Sequence, residues 1–223
     1  GGSPRRHLYD PEQDGDFPDG HLIASYGPLS WNEPADRVFF GICEQEEELP
    51  EIEEDLATVD IFHGEDDYLQ SVQKKRLSRE KERTYRSVFL LEQERFVRLA
   101  DEAMKAIQLT RDGRWGIGSD DTPYISDWKL DRADYYRVDV ESGERTRILE
   151  AQHRVLGLSP DSRHFLYWKD GHVHDYDIPR DRHTILTASA PVGFADQEWD
   201  HVGERPPYGV AGWTKDGRHV VLE

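Results

Sequence analysis

Leu158-Ser159-Pro160-Asp161-Ser162-Arg163-His164-Phe165-Leu166-Tyr167 decides the fold of this chain, because the chain repeats it. Variants stand at Leu109-Thr110-Arg111-Asp112-Gly113-Arg114-Trp115-Gly116-Ile117 and at Trp213-Thr214-Lys215-Asp216-Gly217-Arg218-His219-Val220-Val221-Leu222. The shared frame is an apolar residue, Ser or Thr, any residue, Asp, Gly or Ser, Arg, then a strand-like run. A degraded fourth copy is read at Leu29-Ser30-Trp31-Asn32-Glu33-Pro34-Ala35-Asp36-Arg37-Val38-Phe39-Phe40, aligned on Ser30 with two extra residues in its turn. Asp-Gly between β-rich runs signals a hairpin, since Gly accepts positive φ and Asp bonds its own backbone. Thr110 to Ser159 spans 49 residues and Ser159 to Thr214 spans 55. A hairpin recurring at that period predicts a radial or stacked β architecture, most often a propeller. The hydroxyl and the Asp are expected to tie each turn by local backbone hydrogen bonds.

Composition agrees with thin, aromatic-packed blades. The 223 residues carry 10 Tyr, 8 Phe and 6 Trp, enough to argue against disorder despite a mean hydropathy of −0.83. A net charge of −18 repels phosphate, so nucleic acid and anionic membrane are excluded as partners by charge. Cys43 is the single cysteine, which rules out an intrachain disulfide and a Cys-based zinc site. That fits the cytoplasm and equally a periplasmic or extracellular protein without disulfides. No apolar run long enough to span a membrane occurs, so a soluble chain is expected. Gly1-Gly2-Ser3 has the composition of an expression scar, and the natural start is expected upstream.

Residues 1–20 read as the scar plus a turn-rich loop, and 21–223 as a partial propeller. Asp14, Asp16 and Asp19 lack the glycine and distal Glu of a calcium loop at the required offsets. In residues 44–55, eight of twelve side chains are acidic, which predicts a solvated loop. Val59-Asp60-Ile61-Phe62 looks like a strand. Leu69, Val72, Arg76 and Leu77 fall at helical spacing, predicting a short surface helix over 69–83. Its Lys74, Lys75, Arg76 and Arg79 are expected to lie against the acidic loop. Four-strand units then follow, with blades expected at 21–101, 103–150, 152–188 and, incomplete, 205–223. The fold class expected is all-β: a partial propeller of about three and a half four-stranded blades, with the acidic loop and helix inserted in the first.

Between the hairpins lie Val59-Asp60-Ile61-Phe62-His63 followed by Asp66 to Gln73, then Arg83-Thr84-Tyr85-Arg86-Ser87-Val88-Phe89 and Leu99-Ala100-Asp101-Glu102. Further on come Val138-Asp139-Val140-Glu141-Ser142-Gly143-Glu144-Arg145 and Tyr208-Gly209-Val210-Ala211-Gly212-Trp213-Thr214. In that order they resemble the non-catalytic β-propeller of prolyl-oligopeptidase-type serine peptidases, and more distantly TolB-like propellers. The resemblance implies a propeller that caps a separate α/β-hydrolase domain and restricts which peptides reach its Ser–Asp–His site. No serine here has Gly at both −2 and +2, as a hydrolase nucleophile elbow needs, so no catalytic residue carries over.

Candidate sites follow from residue type. Asp196, Glu198, Asp200 and His201 around Trp199 form the densest acidic-aromatic cluster in an inter-blade loop, and are the binding residues expected. The plain alternative is a solvated loop. His172 and His174 share a strand face at a spacing open to a metal, but no third ligand is placed, so no metal is assigned. His153, Ser159 and Asp161 have triad chemistry without an oxyanion hole, and are read as structural. Trp31, Trp115, Trp168 and Trp213 are read as blade packing. No cofactor is implied. The partners expected are the missing hydrolase domain and remaining blades, or a second copy of the chain, with a peptide as substrate of the whole. A free-standing TolB-like protein-binding module and a hydrolase with an unrecognised loop site stand as alternatives.

Overall fold

A computed structural model describes residues 8–45, 68, 70–125 and 131–223. The strand expected at Val59 to Phe62 and most of the acidic run lie outside those residues. The first sheet contains β1 (His21–Ile23), β2 (Ser30–Trp31), β3 (Arg37–Glu44), β4 (Tyr85–Leu90) and β5 (Arg95–Arg98); α1 (Gln70–Lys81) lies between β3 and β4 in the chain. β1 and β2 pair successive stretches of β3, as one inner strand split in two. The second sheet runs β6 (Ala106–Leu109), β7 (Trp115–Asp120), β8 (Ala133–Asp139) and β9 (Arg145–Gln152). The third runs β10 (Arg154–Leu158), β11 (His164–Lys169), β12 (His172–Asp177) and β13 (Arg182–Ile185). β14 (Val210–Trp213) and β15 (Val220–Leu222) make half of a fourth. Every pairing is antiparallel, and the chain is a partial β-propeller.

The central strands β3, β4, β11 and β12 are buried on both faces because they lie between neighbouring layers, and period-two alternation decides which neighbour a side chain meets. Phe39, Val88, Leu90 and Val97 of the first sheet pack against Met104, Val138 and Val140 next to or within the second. Their sequence neighbours Phe40, Phe89 and Phe96 face the other way, onto Tyr9 and Phe17 of the N-terminal segment. Tyr9 lies 4.6 Å from the Phe89 ring and Phe17 5.0 Å from Phe96, so the first blade's open face is partly covered. Ile117 and Leu149 meet Phe165, Tyr167, Tyr176 and Ile178 between the second and third blades. On the far side of the third, Leu166, Trp168 and Val173 are almost fully buried.

Four turns share one geometry. The fourth residue of each returns its N–H to the carbonyl of the first: Ala35 to Asn32 (3.0 Å), Gly113 to Thr110 (2.9 Å), Ser162 to Ser159 (2.8 Å) and Gly217 to Thr214 (2.9 Å). That fourth residue is left-handed in every copy, with φ of 57°, 67°, 56° and 67°. The first residue's side chain accepts the N–H five positions on: Arg37 to Asn32 Oδ1 (3.1 Å), Trp115 to Thr110 (3.0 Å), His164 to Ser159 (3.0 Å) and His219 to Thr214 (3.1 Å). In three copies the hydroxyl donates to the Asp two positions on, at 2.5–2.6 Å. In the first, Pro34 takes that place and the Asn32 amide donates to Asp36 (2.6 Å) instead. The degraded copy therefore aligns on Asn32, not Ser30, and its turn has no extra residues.

The turns also stack between blades. Asn32 donates to the Asp112 carbonyl (3.0 Å), and Arg37 reaches the Gly113 carbonyl (2.9 Å) and Glu141 (2.7 Å). A Cβ on Gly113 would lie 2.7 Å from the Cβ of Asn32, so that glycine answers to close approach as well as to φ. Of the tryptophans read as packing, Trp168 is buried and Trp115 and Trp213 are half-buried, but Trp31 is 54% exposed. It sits on the short β2 at the molecule's end, where no blade covers it. Among the described residues no helix is long and apolar enough to cross a membrane.

Candidate functional site

An antiparallel four-strand meander puts its first and third connections at one end and its second connection and its exit at the other. Here the first end carries the tied turns just described. The other end carries the described parts of the long connections: α1 between β3 and β4, residues 121–125 and 131–132 between β7 and β8, and residues 186–209 between β13 and β14. This end is the candidate functional face.

Residues 186–209 are held by few but definite contacts. Ala195 bridges Pro207, Asp196 N–H donates to the Pro206 carbonyl (2.8 Å), and Gln197 N–H donates to the Tyr208 hydroxyl (2.9 Å). From beneath, the buried Trp168 indole donates to the Arg205 carbonyl at 2.9 Å. Within this frame the five expected residues divide. Asp196 turns inward on its own backbone, accepting from the Glu198 N–H at 2.9 Å. Trp199 folds back toward the third blade, its ring 5.4 Å from the Arg154 guanidinium and 4.7 Å, edge-on, from His201. Its indole N–H is sealed from solvent without an acceptor, as is Arg154 Nε. Asp200 and His201 stand 3.5 Å apart, 88% and 71% exposed. Glu198 is exposed. Asp200 and His201 thus form an exposed carboxylate–imidazole pair backed by the half-buried Trp199 ring, while Asp196 serves the loop's shape.

A cleft of about 740 Å³ opens on the same face between α1 and the second blade, lined by Arg76, Arg83, Lys105, Glu80 and Asp121 around Tyr135 and His153. Arg83, just past the end of α1, pairs with Glu80 in its last turn, and the Arg83 hydrogen bond holds the Glu80 carboxyl below its usual range. Tyr135 is pushed up, first by burial and then by Asp121. Sequence reasoning missed this cleft, because its walls come from segments far apart in the chain and no single stretch carries a signal.

The other candidates resolve as structure. His153 bonds the Asp131 carbonyl (2.6 Å), whereas Ser159 and Asp161 bond each other inside the turn (2.5 Å), so the three do not assemble. His172 meets Thr187 (3.1 Å), and His174 meets the Lys169 carbonyl (3.1 Å) while stacking on Tyr167. Each imidazole already has a partner of its own. The cationic face of the helix is placed in part: Arg76 lies 4.0 Å over the Tyr68 ring, and most of the acidic run it was expected to meet lies outside the described residues.

No protein-family model matches the sequence, and no curated protein matches it. Among solved structures the chain is similar to TolB from Acinetobacter baumannii, at 15% identity and a TM-score of 0.34 over 72% of this chain and 32% of that one. It is similar to dipeptidyl peptidase 4 from Porphyromonas gingivalis, at 20% identity and a TM-score of 0.33 over 49% of this chain and 17% of that one. A TolB-type protein from Agrobacterium tumefaciens matches at 12% identity and a TM-score of 0.38, over 88% and 52%. The chain thus spans between about a sixth and a half of the proteins it matches.

Proposed function

We propose that this chain is the propeller portion of a prolyl-oligopeptidase-type serine peptidase, governing which peptides reach a separate α/β-hydrolase domain. The observation that carries the reading is the ordered set of inter-blade motifs in the sequence, and a propeller whose long connections lie toward one end is compatible with it. One end is closed by tied turns and leaves little to recognise. The other offers a charged cleft and an exposed aromatic-acidic loop, which suit sorting of peptides by size and charge. The serine chemistry belongs to the hydrolase domain, so these 223 residues alone are expected to turn over no peptide or ester. The deciding experiment is to read the coding sequence after Glu223. A hydrolase with Gly-x-Ser-x-Gly supports the proposal, and a stop codon removes it.

A second reading, a free-standing TolB-like module that binds a protein, is favoured by one feature: Asp200 and His201 protrude from the loop 186–209 beside the half-buried Trp199 ring. Carboxylates beside an indole suit a cationic peptide segment. Binding of a Lys/Arg-rich peptide that is lost in both Trp199→Ala and Asp200→Asn would support it. Equal binding by all three proteins would sink it.

A further inference from the structure

We propose that His21, Glu44 and Glu102 hold a divalent transition-metal ion on the face of long connections, where the first blade leads into the second. His21 opens β1 and stands opposite Glu44, the last residue of β3, in the antiparallel register. Glu102 lies in the connection from β5 to β6. One ligand atom from each of the three lies within 4.8 Å of the others.

The histidine carries the argument. Its Nδ1 is 3.0 Å from the Asp19 carbonyl, which can only accept, so Nδ1 bears the hydrogen and Nε2 presents a lone pair. A metal-ligating histidine is held this way, with the far nitrogen fixed by a carbonyl. Nε2 is sealed from solvent and has no hydrogen-bond partner. It faces a Glu102 carboxylate oxygen at 3.7 Å, with the His21 side chain only 11% exposed. A buried lone pair facing a carboxylate oxygen is unfavourable even though Arg98 shares that Oε1, and a cation between the two removes the conflict. A proton fits that gap poorly, because a charge-assisted N–H to carboxylate bond closes to about 2.7–2.9 Å. Two bonds of about 2.1 Å meeting at a metal at a tetrahedral angle set their ligand atoms about 3.4 Å apart, close to the spacing here. Imidazole with two carboxylates suits zinc, manganese or ferrous iron better than calcium or magnesium, which prefer all-oxygen shells.

The surroundings fit a structural ion with open coordination positions. Tyr85 flanks the imidazole at 6.2 Å, and Arg98 anchors the Glu102 carboxylate at 2.6 Å, so two of the three ligands are held before an ion arrives. Because the ligands span β1, β3 and the connection to β6, an ion here would fasten the first blade's inner end to the start of the second.

The test is calorimetric titration of the chelator-stripped full chain with zinc chloride, and separately with manganese chloride, near neutral pH. The expected result is one ion per chain, bound at least about tenfold more weakly by His21→Ala and by Glu102→Gln. Melting of the wild type should rise with zinc, and that of both variants should not. Circular dichroism of each variant guards against misfolding, and the exposed Glu102→Gln serves if His21→Ala does not fold. No ion bound by the wild type, or zinc bound equally by wild type and Glu102→Gln, would overturn the proposal.

Discussion

At the residue scale the repeated turn makes quantitative demands. The Ser159 hydroxyl, buried at 3% exposure, accepts two backbone N–H groups and donates to Asp161. Ser159→Ala should therefore cost about 1–2 kcal/mol in urea denaturation, mostly by stranding those donors. Ser162 holds φ at 56°, where L side chains are strained, so Ser162→Gly should stabilise by about 0.5–1 kcal/mol. Gly113→Ala should shift the urea midpoint the opposite way, and by more, since its Cβ would strike Asn32. These rules explain both what the sequence discloses and where it misleads. The copies at Thr110, Ser159 and Thr214 are legible because hydroxyl, Asp and Gly are the residues that such a turn selects. The first copy is misaligned because Asn32 does the hydroxyl's work and Ala35 accepts a glycine's φ, substitutions invisible to a pattern of residue types. Titration adds a pH signature. Burial lowers His174 and His183 below the ordinary 6.5, so above that value neither protonates in either state and neither affects stability. As pH falls below 6.5 the unfolded chain takes up protons first, and stability is lost. Lys169, Asp170 and His172 act on His174, and Lys169, Asp181 and His174 on His183. Burial raises Asp175, which works in the opposite sense, but that residue is common to wild type and variant. Melting temperature should accordingly fall between pH 6.5 and 5 by more in the wild type than in a His174→Gln/His183→Gln double variant. Parallel curves would refute the assignment.

At the element scale α1 and β11 mark opposite extremes of packing. Trp168 on β11 is 1% exposed and fastens the connection above it through the Arg205 carbonyl. Trp168→Ala should cost about 3–5 kcal/mol, and Trp168→Phe less, retaining most of the volume but not the donor. α1 lacks an apolar stripe: Leu77 is 54% exposed, as a surface helix allows, and the helix borders a cleft rather than a core. A twelve-residue helix held by so little should open locally, so its amides should exchange faster than those of β11 and β12. Equal protection would show that the cleft is packed more firmly than its lining suggests. The helix is legible in its 3.6-residue spacing, but its environment is not, because spacing reports which residues share a face and not what lies opposite. The loop at 196–201 reads the same way. Its composition marks a connection, while the folding back of Trp199 onto Arg154 depends on a strand more than forty positions earlier. Still less legible are His21, Glu44 and Glu102, which register and blade order alone bring together.

At the scale of the molecule the apolar groove at the first blade offers a surface on which a second copy is expected to dock. Ile23, Leu29, Trp31, Val38, Phe40 and Leu91 line a depression of about 800 Å³ that Tyr9 only partly closes. Exposed apolar surface of this kind is characteristic of an interface, and a second copy offers the same groove about a two-fold axis. The net charge of −18 opposes pairing, so it should strengthen with salt. Light scattering at low micromolar concentration should give twice 25.9 kDa in physiological salt, and Trp31→Asp should return the monomer. A wild-type monomer at all salts would refute the pairing. The division of the molecule into two ends has a consequence for anyone who wishes to alter it. At the tied end the first and last residues of each turn are already committed to its hydrogen bonds, and the first two turns are bonded to each other, so the text there admits few edits. At the opposite end Val202 is 98% exposed and the loop around it is pinned at its roots rather than along its length. A peptide epitope spliced after Val202 should leave melting unchanged and be visible to an antibody, whereas the same epitope between Asp112 and Gly113 should abolish cooperative folding. The propeller is, in that sense, a board with one side soldered and the other left for components.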